Sequence, residues 1–188
     1  MKACSGAART WPVAAFAWSA CGLSQRLLEG IPCQKSTSPR QGSSKARFPP
    51  PYDEPCRKRS RTKLGDVAGL DQFGVNLCRL PPGVWSSQRH WHTHEDELVY
   101  VLEGEVVLVT DAGEVNLRPG DCAGFKAGDG DGHCLQNRSR RDAVILEVGT
   151  RNPREGLVRY PGIDLMGVVG RPGYSHTDGT PYPERSRA

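Results

Sequence analysis

The chain has no apolar run near the ~18 residues that a membrane-spanning helix needs. Nor does it carry a long amphipathic helical pattern between residues 70 and 150. The first absence argues against a membrane partner, the second against helical bundles and α/β folds. None of the seven cysteines stands in a C-x-x-C pair, so zinc-ribbon and thioredoxin-type sites are excluded. An odd cysteine count in a chain long enough to build a core points to reduced thiols, with Cys122 and Cys134 unbridged, and to a cytoplasmic location. Walker A, G-x-G-x-x-G and G-x-S-x-G are also missing, which leaves nucleotide and hydrolase-elbow chemistry without support. Asp129 and Asp131 lack the spacing and closing Glu of a calcium loop.

Turn formers are plentiful. There are 22 Gly and 15 Pro among 188 residues, and hydrophobic residues make up only 37%. Short strands joined by many turns suit that composition. The net charge of +4 hides an asymmetry: residues 1–63 are basic, whereas residues 64–188 hold more Asp and Glu than Lys and Arg. A mildly acidic core does not suit nucleic acid.

The first acidic residue is Glu29. Residues 1–49 are rich in Ala, Ser and Cys, with Lys2, Arg9 and Arg26 scattered among them. Three readings stand open for this extension: disorder, an organelle transit peptide, or a secretory signal interrupted by Pro12. Residues 50–67 have the composition of a linker or lead-in, and the basic run 57–63 reads as solvated charge at a domain edge. From Phe73 onward the pattern is β. FGVNLCRL alternates; ELVYVLEG and EVVLVT are β-branched runs; VNLRPG, CAGF, HCLQN and AVILEV follow, separated by turns. Such spacing predicts an all-β sandwich or barrel over residues 68–150. Residues 151–188 read as an irregular tail that packs on the barrel. The tripeptide Asn137-Arg138-Ser139 is a glycosylation sequon only if the chain is secreted.

Three of the five histidines fall within HWHTHEDE, residues 90–97. Residues i and i+2 of a strand share one face, so His90 and His92 point the same way, about 7 Å apart along the backbone. His94 has the same parity but lies where the strand ends, at the rim. A turn brings Glu97 back toward the pair, with Val99 and Val101 following it into an apolar interior. His133, after the glycine-rich loop GDGDG, is placed to complete the set. Three imidazoles and a carboxylate suit Fe, Mn, Ni, Cu or Zn alike, and leave coordination positions open.

These residues resemble the first motif of the cupin superfamily, matched by Gly83, His90, His92, Glu97 and Gly104. The spacing from Gly83 to His90 is one residue longer than the family pattern. The second cupin motif is matched less closely by Gly120, Gly128, His133 and Asn137. Lys126 stands where that motif has proline, and two extra residues precede His133. The resemblance covers residues 68–150 and is close to small single-domain bacterial cupins. It implies a small jelly-roll β-barrel with a divalent transition metal held by His90, His92, Glu97 and His133. Lys126, Tyr100, His94 and Asn137 are the expected ligand-binding residues beside the ion. Since ELVYVLEG is apolar on both faces, a homodimer is expected. Two function classes remain: a metal-dependent dioxygenase, isomerase or decarboxylase acting on a small polar or carbonyl molecule, and a non-catalytic module that binds a sugar or organic acid.

Overall fold

All seven stretches singled out between residues 73 and 150 form strands. The computed structural model describes residues 48–151, 156–169 and 171–183, and the backbone of residues 2–4. In chain order the strands are β1 (Lys2–Cys4), β2 (Ser60–Lys63), β3 (Phe73–Leu80), β4 (Trp91–His92), β5 (Glu97–Glu103), β6 (Val106–Thr110), β7 (Gly113–Leu117), β8 (Cys122–Phe125), β9 (Cys134–Gln136), β10 (Ala143–Thr150), β11 (Leu157–Arg159) and β12 (Met166–Val168). A single helical turn at Leu64–Val67 and a 3-10 turn at Glu54–Cys56 are the helical elements among the described residues. No helix there is long and apolar enough to cross a membrane.

The strands make a jelly roll of two layers. One is a six-stranded antiparallel sheet in the order β1-β8-β5-β10-β3-β2. Facing it are two three-stranded sheets, β7-β6-β9 and β12-β11-β4. A single bridge between His90 and His133 joins these two at their seam. The layers bury a shared core that includes Val99, Val101 and Ile145 from the large sheet and Val106, Leu108 and Leu135 from the facing one. Each fully buried aliphatic side chain of this kind contributes about 1.5–3 kcal/mol. Parity along β5 follows the expectation: Val99 and Val101 are buried, whereas Leu98, Tyr100 and Leu102 face outward and are exposed. Gly104 ends that strand at φ +73, where an added Cβ would lie 2.5 Å from the carbonyl oxygen of Asp142. Only glycine allows both the left-handed turn and the close approach of the next chain segment.

The lead-in and the C-terminal segment both pack on the barrel. Residues 60–63 pair with β3 in register, Arg61 opposite Cys78 and Thr62 opposite Leu77. Phe48, Cys56, Tyr160 and Leu165 are buried together in a second core that links the lead-in to the C-terminal segment. Within the basic run Arg57, Lys58 and Lys63 are exposed, whereas Arg59 and Arg61 turn inward. Arg59 is only 8% exposed, and Arg61 makes a bidentate pair with Glu147, Nε to Oε2 at 2.6 Å and Nη2 to Oε1 at 2.7 Å. Of the expected extension, residues 2–4 form β1 at the edge of β8 and Phe48 is core; the rest, up to residue 47, lies outside the described residues, as do Cys21 and Cys33.

Cys56, Cys78, Cys122 and Cys134 are free thiols, so the expected lack of a bridge between Cys122 and Cys134 holds. Burial pushes the Cys56 thiol up to about 11 and that of Cys78 up to about 12. Both stay protonated and unreactive near neutral pH.

Candidate metal centre

The centre sits at the seam of the facing layer, where β4 and β9 diverge. β4 is only two residues long. It is held by β11, which pairs Val158 with His92 and Arg159 with Trp91, and by the reciprocal backbone bonds of His90 and His133, at 3.1 and 2.9 Å. The turn over residues 93–96 then reverses the chain into β5, and Glu97, the first residue of that strand, faces back toward the histidines. The backbone thus places side chains from three strand ends around one point.

That point is Oε2 of Glu97. It lies 2.9 Å from Nε2 of His133, 3.5 Å from Nε2 of His92 and 3.6 Å from Nε2 of His90. His90, His92 and Glu97 each offer a ligand atom, all within 4.8 Å of one another. They form a group able to hold a divalent metal ion, and His133 approaches it through Glu97. Nitrogen and carboxylate donors in this mixture fit borderline transition metals. His90 is oriented for the purpose: its Nδ1 is 3.0 Å from the carbonyl oxygen of Gln88 and 3.1 Å from Oγ of Ser87. Donation to that carbonyl leaves the Nε2 lone pair aimed at the centre. His133 is clamped by Phe125, whose ring stacks on it at 3.5 Å and 2°. Its Nδ1, like that of His92, is buried without a hydrogen-bond partner. Glu95 Oε2 lies 3.0 Å from Nδ1 of His92, close enough for an ion pair but poorly aligned as a hydrogen bond.

The electrostatics follow from burial and neighbours. Burial raises the Glu97 carboxyl, but the contacts with His133 and His90 and the charges of His90 and His92 outweigh it and hold the group well below the usual range. Burial, helped by the charges of His90 and His92, lowers His133 more than Glu97 raises it. His92 moves the other way, because Glu95 and Glu97 together outweigh the cost of burying its charge. At neutral pH the cluster therefore offers a carboxylate and a neutral His133 imidazole, the protonation states that metal binding requires.

The centre opens in two directions. On one side a cavity of about 300 Å³ is lined by His90, His92, Glu97 and His133 together with Arg59, Arg61, Glu147 and Tyr160. On the other a notch of about 10 Å³, room for roughly one water, is lined by His92, Glu95, Phe125 and Lys126 among others.

The expected ligand-binding residues divide. Lys126 lines the notch. His94 is exposed at the rim, with Nδ1 2.7 Å from Oγ1 of Thr93. Tyr100 is corrected: its parity on β5 is opposite to that of Glu97, and it faces outward at 38% exposure. Asn137 is corrected too. It is fully buried one residue beyond β9, donates to the carbonyl oxygens of Leu80 and Arg141, and accepts from Ser139. That amide staples a turn, and its burial also closes the sequon. Arg59, Arg61, Glu147 and Tyr160 were not expected at the site. Glu147 left a signal, since a lone carboxylate inside AVILEVGT implies a buried partner.

The cupin-domain family profile matches residues 76–149 of this chain. A solved sugar phosphate isomerase from a cupin superfamily, from Silicibacter pomeroyi, is 43% identical, with 73% of this chain and 88% of that one covered and a TM-score of 0.67. A protein of Acidithiobacillus ferrooxidans, described as a candidate sugar phosphate isomerase, is 30% identical over 64% of this chain and 76% of its own, with a TM-score of 0.58. A polyketide cyclase of Streptomyces resistomycificus, 23% identical over 65% of this chain and 80% of its own with a TM-score of 0.53, shares the fold. No curated protein sequence matches.

Proposed function

The chain belongs to the cupin superfamily, and on that premise we propose that it is a metal-dependent isomerase of a small polar carbonyl compound of the sugar-phosphate class. The observation that carries the reading is the meeting of three imidazoles on one carboxylate oxygen at the inner wall of a ligand-sized cavity. The likeness to a sugar phosphate isomerase at 43% identity supports the substrate class.

His90, His92, Glu97 and His133 would hold a divalent transition metal; Fe, Mn, Ni, Cu and Zn all suit these donors. When bound, the ion supplies Lewis-acid polarisation of a carbonyl oxygen. The chain's own residues do the rest. Isomerisation moves one proton between neighbouring carbons and leaves the composition unchanged, so it needs no oxidant or second substrate. Glu95, on the notch side of the centre, bears on His92 and not on a molecule in the cavity. Phe125 and Val99 give the centre dry walls, which strengthen the electrostatic interactions within. Lys126, on the notch side, and His94, at the rim, lie outside the lining of that cavity.

The test is metal content together with proton exchange. Protein purified without chelator should contain stoichiometric transition metal. It should also wash deuterium from heavy water into one or more members of a panel of aldose and ketose phosphates, and chelation should stop the exchange. Metal without exchange would leave a ligand-binding module in place of an enzyme. No metal at all would sink the metal-centre reading itself.

We further propose that the protein is a homodimer. Phe73, Leu98, Tyr100 and Leu102 lie exposed on the outer face of the large sheet at 38–43%, an apolar surface of the kind that partner chains cover. Light scattering should give twice the chain mass, and Leu98→Asp should reduce it to one. A parent protein that scatters as a monomer rejects the dimer.

A further inference from the structure

One charge in the cavity has no partner suited to it. Arg61 and Glu147 neutralise each other in a bidentate pair. Glu97 is surrounded by the histidines. Arg59 remains. It is 8% exposed, it lines the same cavity as the histidines, and its Nε and Nη1 are buried with no hydrogen-bond partner. The ring of Phe48, 5.7 Å from its guanidinium carbon, covers one face, but a ring face satisfies no N–H. A buried guanidinium with idle donors is costly unless an anion completes it. Its planar fork matches the oxygens of phosphate and carboxylate. The arginine and the histidine cluster line one cavity, so a single molecule bound there would meet both.

We propose that Arg59 is the anchor for the anionic group of the substrate, a phosphate ester or a carboxylate, and so a specificity-determining residue of this site. The inference rests on the cavity's being the ligand site, as in the reading above, but not on the ion. The anion contact is made by the chain alone and survives removal of the metal.

The experiment therefore uses the full-length protein in its metal-free form, at pH ~8, above the imidazole range, so that protonated histidines do not bind anions. Methyl phosphate and acetate are titrated calorimetrically into the parent and Arg59→Gln, with metal uptake of both proteins measured in parallel. The parent should bind at least one of the anions, and the tighter of the two names the group. Arg59→Gln should bind it about 10–100-fold more weakly, as expected for a lost charge-assisted contact, with metal uptake unchanged. Should Arg59→Gln fail to fold, Arg59→Lys keeps the charge and loses the fork, and should bind several-fold more weakly than the parent. The proposal is overturned if neither anion binds the metal-free parent, or if the variants bind as the parent does. Failure of metal uptake in the parent, with anion binding intact, would instead reject the metal-centre reading and leave Arg59 in its role.

Discussion

Replacing His92 by Ala will strip most of the bound metal from the purified protein, whereas replacing His94 by Ala will leave the stoichiometry of the parent. The two residues are neighbours in a motif of alternating histidines, and only the backbone separates them. His92 lies in β4, paired with Val158, and its Nε2 is 3.5 Å from Glu97 Oε2. His94 falls in the turn beyond the strand, exposed, with Thr93 beside it. Loss of a ligand should weaken metal binding by more than the 10–100-fold that loss of an outer-shell partner costs. Elemental analysis of the two variants reads the outcome, and equal losses would mean that the centre is not the one described. The pH dependence follows with a definite sign. Metal binding needs neutral imidazole, and Glu95 and Glu97 hold the proton on His92 more tightly than an ordinary histidine holds it. As pH falls, proton competition should therefore begin above the usual value of about 6.5, with His92 as the first ligand lost. Glu97, held well below the usual carboxyl range, should remain a ligand throughout. A titration in which affinity stays flat to well below pH ~6 would contradict this order.

Phe48→Ala should destabilise the protein by about 3–5 kcal/mol, the range for truncating a buried aromatic. The residue is 2% exposed. Its ring meets Tyr160 edge-on at 5.8 Å and Tyr174 at 5.2 Å, and it covers the guanidinium of Arg59. The cavity left behind would lie between the lead-in and the C-terminal segment, so the variant tests whether the second core carries stability of its own. Urea unfolding should show the midpoint falling with little change in slope. Val115→Ala is the control, because Val115 is 44% exposed on β7, away from the outer face of the large sheet. A loss below about 1 kcal/mol for Phe48→Ala would mean that the second core is a loose annex, and that the fold does begin near Pro50, as composition alone led one to expect.

The strands of the central segment and the cluster of His90, His92, Glu97 and His133 were legible because they rest on periodicity. A period of two fixes which side chains share a face, and the turn after His94 fixes where the next strand starts. Tyr100 shows the same rule neglected: it lies three residues beyond Glu97, an odd number, and so faces outward. Asn137 fits the family motif, but its amide answers a turn's need for hydrogen bonds, which a motif does not reveal. Arg59 and Arg61 were misread for a different reason. The sequence SRTK has no apolar period, so β2 is invisible until β3 is there to pair with it. Arginines ordinarily lie in water, and the inward turn of Arg61 depends on Glu147, 86 residues away. Contacts of that separation leave no local trace.

The family profile spans residues 76–149, and every proposed metal ligand falls inside it. Yet β11, which holds His92 in register, lies beyond its end, and Arg59 and Phe48 lie before its start. The protein is in this sense modular at the scale of its own site. The middle holds the proposed metal ligands, and the flanks hold the strand that positions His92 and the arginine proposed to grip the substrate. On the proposed reading, a chain that kept HWHTHEDE but exchanged these flanks would keep the metal ligands while losing the arginine that selects what reaches them.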